Sequence, residues 1–309
     1  MRTAFADTIF EIAAENPDVY LLTGDLGFSV LEKFAAAFPD RYINVGVAEQ
    51  NMIGVAAGLA LSGKTVFVYS IANFPTLRCL EQIRNDVCYH NANVKIVAVG
   101  GGFTYATLGP THYGLEDLAI MRALPNMTVI APGDPAEARA ATRAAAALPS
   151  PCYLRLGRAG EPNVHTTPPA FELGRALDAR QGGDATIITT GGMLYNAVMA
   201  ADQLREQGIA CRVLSLHTLK PLDRDAVMAA AGKPIITVEE HSAIGGLGSA
   251  VAEVLAELRG VPVWLERIAV PSEFAQFVGS QSYFHDHYGL SAAHIARRVV
   301  DTLRAYHGR

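Results

Sequence analysis

Three short stretches hold the residues with chemical potential. The first is Asn44-Val-Gly-Val-Ala-Glu-Gln-Asn-Met-Ile-Gly-Val-Ala-Ala-Gly-Leu-Ala, in which Glu49 stands among small and apolar residues. It reads as a tightly packed helix, with Gly54 and Gly58 permitting close approach of a neighbour. A carboxylate in such a setting is costly without a dedicated partner, and in a dry pocket it suits proton chemistry. A helix-start acid favoured by the macrodipole is the plain structural alternative. The second stretch, Tyr69-Ser-Ile-Ala-Asn-Phe74-Pro-Thr followed by Glu81-Gln-Ile-Arg-Asn-Asp-Val, offers aromatics that can stack on a flat ring or simply fill a core. The third, Gly100-Gly-Gly-Phe-Thr-Tyr-Ala-Thr-Leu108-Gly-Pro-Thr-His112, is dense in glycine, which lets backbone come close to a ligand. It ends on His112, whose imidazole can carry a proton near neutral pH or be packed as a structural group. Further on, Pro151-Cys-Tyr-Leu-Arg155-Leu-Gly-Arg158 sets two guanidinium forks at the end of an apolar run. Such forks suit a phosphate or carboxylate, although strand-end arginines are also often solvated.

The elements that must position these groups follow from periodicity. Val19-Leu22, Thr65-Tyr69, Val94-Val99 and Met127-Ile130 read as strands separated by helical patterns. Buried apolar runs alternating with helices predict a parallel sheet covered on both faces. The same grammar returns in Ala185-Thr190, Cys211-Ser215, Pro234-Val238 and Val263-Arg267, with helices over Tyr195-Gln207 and Gly248-Leu258. Two three-layer α/β domains with mainly parallel sheets are therefore expected. Pro-, Gly- and Thr-rich segments place domain one at 1–165, a linker at 166–184 and domain two at 185–309. The 309-residue length suits two cores.

Composition excludes other classes. Lys+Arg 25 against Asp+Glu 30 gives a net charge of −5, without the basic footprint of a nucleic-acid or anionic-membrane binder. Cys79, Cys88, Cys152 and Cys211 lack metal-ligand spacing, so four reduced, packed thiols are expected. Neither a signal-peptide pattern nor an apolar span of about 20 residues is present, and a cytoplasmic protein is expected.

The motif Gly46-Val-Ala-Glu49-Gln-Asn-Met resembles the cofactor-activating motif of the transketolase, deoxyxylulose-phosphate synthase and 2-oxo-acid dehydrogenase superfamily. The resemblance implies that Glu49 hydrogen-bonds the aminopyrimidine of thiamine diphosphate and favours the tautomer whose nitrogen takes the thiazolium C2 proton. It implies Phe74, then Tyr69, as the aromatics stacked on that ring; Cys79 and Gln82 align where transketolases often carry further aromatics. Gly109-Pro-Thr-His112 is similar to the transketolase loop whose histidine contacts the substrate oxygen. Arg155 and Arg158 align with arginines that bind a substrate phosphate or carboxylate. Leu219-Lys-Pro-Leu-Asp223 and Val238-Glu-Glu-His-Ser-Ala-Ile-Gly245-Gly-Leu-Gly248 resemble the transketolase C-terminal domain. That glycine run lacks the third glycine and the acidic ribose ligand of a dinucleotide fingerprint. Glu240 and His241 are instead expected to fix the loop against the neighbouring domain.

Two departures bear on specificity. Sugar-phosphate transketolases commonly have Asp where this chain has Leu108, and a second His where it has Gly100. A less polar acceptor, or one differently oriented near C2, is expected. The Gly-Asp-Gly and downstream Asn that hold Mg²⁺ and the diphosphate in full-length relatives are absent; Gly24-Asp-Leu-Gly27 is not that motif. The resemblance therefore implies the C-terminal subunit of a split transketolase, a homodimer within an α2β2 heterotetramer whose N-terminal subunit supplies the Mg²⁺ site. The implied reaction moves a two-carbon ketol unit from a ketose to an aldehyde. The alternatives are the β component of a 2-oxo-acid dehydrogenase and a non-catalytic subunit that kept the fold.

Overall fold

A computed structural model describes residues 1–308. The first domain runs α1 (Arg2–Glu15), β1 (Val19–Thr23), α2 (Glu32–Ala37), β2 (Tyr42–Asn44), α3 (Glu49–Leu61) and β3 (Thr65–Ile71). It continues with α4 (Leu80–Gln82), β4 (Val94–Val99), α5 (Asp117–Ala123), β5 (Thr128–Ile130), α6 (Pro135–Ala147) and β6 (Cys152–Leu156). The second runs β7 (Leu177–Arg180), β8 (Ala185–Thr189), α7 (Met193–Glu206), β9 (Cys211–Ser215), β10 (Thr218–Lys220), α8 (Arg224–Ala229) and β11 (Pro234–Ser242). It closes with α9 (Leu247–Leu255), β12 (Trp264–Val270), α10 (Gln281–His287) and α11 (Ala292–His307).

The sheet orders are β10-β5-β6-β4-β3-β1-β2 and β12-β11-β8-β9-β7. All pairings are parallel except β10 with β5 and β7 with β9. In β3 the side chains alternate: Val66 and Val68 join the core under α3, while Phe67 and Tyr69 join the core under α1 and α6. This is the period-two geometry of a strand buried on both faces. The second sheet carries α7 and α11 on one face, where Phe103 and Tyr113 of the first domain also pack. On its other face, Val251 and Val254 of α9 share one core with Met52 and Ile53 of α3. The two domains are thus continuous through their apolar interiors.

Two segments depart from the expected boundaries. Leu177–Arg180, placed in the linker from its lack of periodicity, is an antiparallel edge strand; Asp178 and Arg180 turn their charges outward to Arg212 and Asp202. Thr218–Lys220 lies within the second domain's span yet completes the first sheet, with Thr218 opposite Ile130. Three-residue strands carry too little pattern to announce their partner. The four cysteines are free and buried, as expected.

Candidate active site

The C-terminal ends of β1, β2, β3 and β4 carry the chemical side chains. Asn44, last in β2, accepts from the amides of Asp25 and Gly46 at 3.0 Å each and so shapes the turn before α3. Glu49 opens α3, where the helix dipole favours an acid, and is only 2 % exposed. Gly24 leaves the room it needs: a Cβ there would meet Glu49 Cγ at 3.3 Å. Arg78 Nη1 donates to Glu49 Oε2 at 2.7 Å, and among the described residues nothing hydrogen-bonds Oε1.

From Glu49 a line of contacts reaches His112. The Arg78 guanidinium lies 4.9 Å from the Phe74 ring centroid, and Phe74 meets the His112 ring edge-on at 5.3 Å. His112 Nδ1 is 2.9 Å from Thr111 Oγ1, while Asn73 Nδ2 donates to the Thr111 carbonyl at 3.3 Å. A carboxylate, an aromatic face and an imidazole are therefore presented together beside an exposed arginine. Leu108, at 55 % exposure, stands in the same loop. Gly100 has φ +89, and a Cβ there would lie 2.3 Å from the Tyr105 ring. That ring takes the space in which a side chain at position 100 would sit, so the missing imidazole is built into the loop's packing.

Tyr69 does not join this group. It is buried at 3 % exposure and stacks on Phe5 at 6.0 Å under α1, so its expected place on a cofactor ring is corrected to the core; strand alternation turns it away from the face on which α3 sits. Arg155 is likewise not set beside Glu49 or His112. Its Nε donates to Asp117 Oδ2 at 2.8 Å, and its Nη2 to the carbonyls of Gly114 at 2.6 Å and Glu240 at 3.0 Å. Arg158 is exposed at the strand end, with its side chain in no ion pair among the described residues.

Beneath the glycine loop the second domain grips the first. The Glu240 carboxylate accepts from the Phe103 amide at 3.0 Å, Gln281 Nε2 at 3.0 Å and His285 Nε2 at 2.8 Å. Burial alone would raise its pKa, but the charge and hydrogen bond of His285 hold it below the ordinary carboxylate value. For His285 burial works downward, and Glu240 outweighs it to raise the imidazole. The Ala119 amide donates to His241 Nε2 at 3.3 Å, and burial pushes this imidazole down to about 4. Glu240 and His241 thus hold the loop and α5, as expected. Glu239 accepts from the Leu247 and Gly248 amides at 2.6 and 2.8 Å, capping α9; a Cβ on Gly246 would lie 2.1 Å from its Oε2. The second glycine run therefore serves this cap.

Residues 1–161 match the transketolase pyrimidine-binding domain, and residues 174–295 the transketolase C-terminal domain. The chain belongs to the transketolase family. One similar relative is a subunit of the apulose-4-phosphate transketolase of Phocaeicola vulgatus, 40 % identical over 98 % of this chain and 97 % of its own. Another is the 6-deoxy-6-sulfo-D-fructose transketolase subunit of Clostridium sp. (strain MSTE9), 42 % identical over 96 % and 92 %. A solved split-gene transketolase, described as an inactive β4 tetramer, superposes with a TM-score of 0.88 at 41 % identity, covering 98 % of this chain and 97 % of that one. The make-up of this chain is that of the C-terminal subunit of a split transketolase. Among the described residues no helix is long and apolar enough to cross a membrane, and no three His, Cys, Asp or Glu side chains converge to hold a metal ion.

The transketolase motifs gave no notice of Arg78. The signal was there, because a buried carboxylate demands a partner, but a cation 29 residues away cannot be chosen without the fold. Nor did they point to Gly24, whose lack of a side chain matters only once α3 is seated.

Proposed function

We propose that this chain forms the pyrimidine half of a thiamine-diphosphate-dependent transketolase and acts with a second, N-terminal subunit that holds the diphosphate and Mg²⁺. The observation that carries the reading is Glu49, buried, fixed by Arg78 on one oxygen and open on the other, with Phe74 alongside. An aminopyrimidine fits this arrangement: Oε1 would hydrogen-bond a ring nitrogen and Phe74 would cover a ring face. When bound, the cofactor supplies the electron sink for carbon–carbon cleavage.

The chain's own residues set the rest. Glu49 holds a proton at the ring nitrogen, in a setting dry enough for that bond to matter. His112, steadied by Thr111 and the edge of Phe74, positions the substrate's carbonyl or hydroxyl oxygen and moves a proton there. Arg158, exposed at the strand end, would take an anionic substrate end, the role that the resemblance gives it. Leu108 offers no hydrogen bond, so the acceptor is less polar, or differently oriented, near C2 than a pentose phosphate. The assembly we favour is an α2β2 heterotetramer, formed in the cytoplasm. The named similarity to transketolase subunits favours ketol transfer over a 2-oxo-acid dehydrogenase β component. Ketose consumption against 2-oxo-acid decarboxylation separates the two.

The deciding experiment is Glu49→Gln, assayed with the partner subunit, Mg²⁺ and thiamine diphosphate. Turnover should fall by about two orders of magnitude or more with the fold intact. Near-wild-type turnover would remove Glu49 from the chemistry.

A further inference from the structure

The loop that ends on His112 is not held by the first domain alone. Phe103 stacks on Phe284 of α10 at 4.4 Å, and the turn over 106–108 packs against the same helix. Tyr113 Oη donates to the Phe277 carbonyl at 3.4 Å, and the Phe277 ring turns inward, stacked on Phe284 at 5.0 Å and edge-on to His287 at 4.5 Å. The segment between β12 and α10 is thereby laid along the loop, fixed at Phe277 by both its carbonyl and its ring. The next side chain, Val278, is left outside at 63 % exposure.

Val278 comes to rest on Gly109. That glycine is buried although Leu108 and Pro110 on either side are exposed. Apart from its chain neighbours, a Cβ built on it would have one atom within 4 Å, Val278 Cγ1 at 3.8 Å. Gly109 turns the chain at φ +84, which side chains rarely adopt, so the bend has no cover of its own and takes it from the second domain. Two aliphatic side chains from different domains, Leu108 and Val278, therefore flank the bend that leads to His112. Both stay largely in water and neither belongs to a core, so their apolar surface gains only when something is seated against them.

We propose that Val278 is a specificity residue supplied by the second domain: with Leu108 it forms an apolar wall against which the C2 region of the aldehyde acceptor lies. The inference rests on the ketol-transfer reading above and extends it by drawing the second domain into acceptor choice. Continuity with His112 through a single loop makes the acceptor, rather than a protein partner, the occupant. The wall works by exclusion. A hydroxyl placed against two aliphatic side chains loses its hydrogen bonds to water and gains none, whereas a methylene in the same place loses nothing. The gap between the two side chains is set by the domain packing that Phe277 and Tyr113 fix.

The test uses the complex reconstituted with the N-terminal subunit, with D-xylulose 5-phosphate as donor and two acceptors, propanal and 2-hydroxypropanal, which differ by the C2 hydroxyl alone. The wild type should favour propanal in kcat/KM. Val278→Asp should lower the propanal-to-2-hydroxypropanal ratio by at least about fivefold, and Val278→Thr, of similar shape, should move it in the same direction. The donor's kcat/KM should stay within about twofold, because in a two-step transfer it reports only the half that precedes the acceptor. A wild-type preference for 2-hydroxypropanal, or a ratio unchanged in both variants, would overturn the proposal. So would equal losses for donor and both acceptors with weaker subunit association by sedimentation, which would make Val278 a subunit contact. A wild-type complex that transfers no ketol unit would instead bring down the functional reading, and this inference with it. Val278 is exposed, so the substitutions leave both cores intact, which circular dichroism checks.

Discussion

Removing one carboxylate, by Glu240→Ala, should loosen the loop that carries His112 without touching the proposed cofactor contacts. The change orphans three donors: the Phe103 amide at 3.0 Å, Gln281 Nε2 at 3.0 Å and His285 Nε2 at 2.8 Å. Phe103 is fully buried, so its N–H cannot turn to water and costs about 1–3 kcal/mol. The half-lost charged bond to His285 adds about 1.5–3 kcal/mol. Together with Gln281, which can reach solvent, the total is about 3–5 kcal/mol, the scale of a broken buried ion pair. The urea midpoint multiplied by the m-value reads this directly. A double-mutant cycle with His285→Ala should return a coupling of about 1–3 kcal/mol. Reconstituted turnover should fall by about tenfold to a hundredfold, since a small misplacement of a positioned group is costly. A loss under about 1 kcal/mol, with turnover retained, would refute the claim that Glu240 anchors the loop.

The Glu240–His285 pair also sets a pH window. The raised His285 contributes fully below its ordinary 6.5 and fades as pH rises through its folded value, while the lowered Glu240 contributes fully above its ordinary 4.5 and fades as pH falls through its folded value. The stability difference between wild type and His285→Gln, followed by urea unfolding across pH, should therefore be largest between about pH 4.5 and 6.5 and shrink toward alkaline pH. Phe74→Ala should lower reconstituted turnover by about tenfold or more, whereas Tyr69→Phe should leave it within about twofold, because only Phe74 stands beside Glu49 and His112; equal losses would return Tyr69 to the site. Leu108→Asp should move kcat/KM toward hydroxylated aldehydes by about 1–3 kcal/mol in a side-by-side acceptor panel. An unchanged ranking would make Leu108 mere packing.

Much of this protein is determined by local sequence. Buried strands separated by helical periods dictate two parallel sheets, because only such runs can hide both faces. Motifs at fixed spacing place Glu49, Phe74 and His112 after successive strands, and the fold brings those ends to one side as any parallel sheet must. Tertiary structure decided what spacing cannot encode. Period two sends Tyr69 to the opposite face from its neighbours, so an aromatic that aligns well becomes core. Arg155 and Arg158 are three residues apart, yet one is sealed under Gly114 and Glu240 and the other is exposed at the strand end. The short strands Thr218–Lys220 and Leu177–Arg180 find their places by pairing rather than by pattern. Arg78, Gly24 and His285 acquire meaning only from partners at least 25 positions away, since a buried charge specifies that a counter-charge must exist but not which segment delivers it.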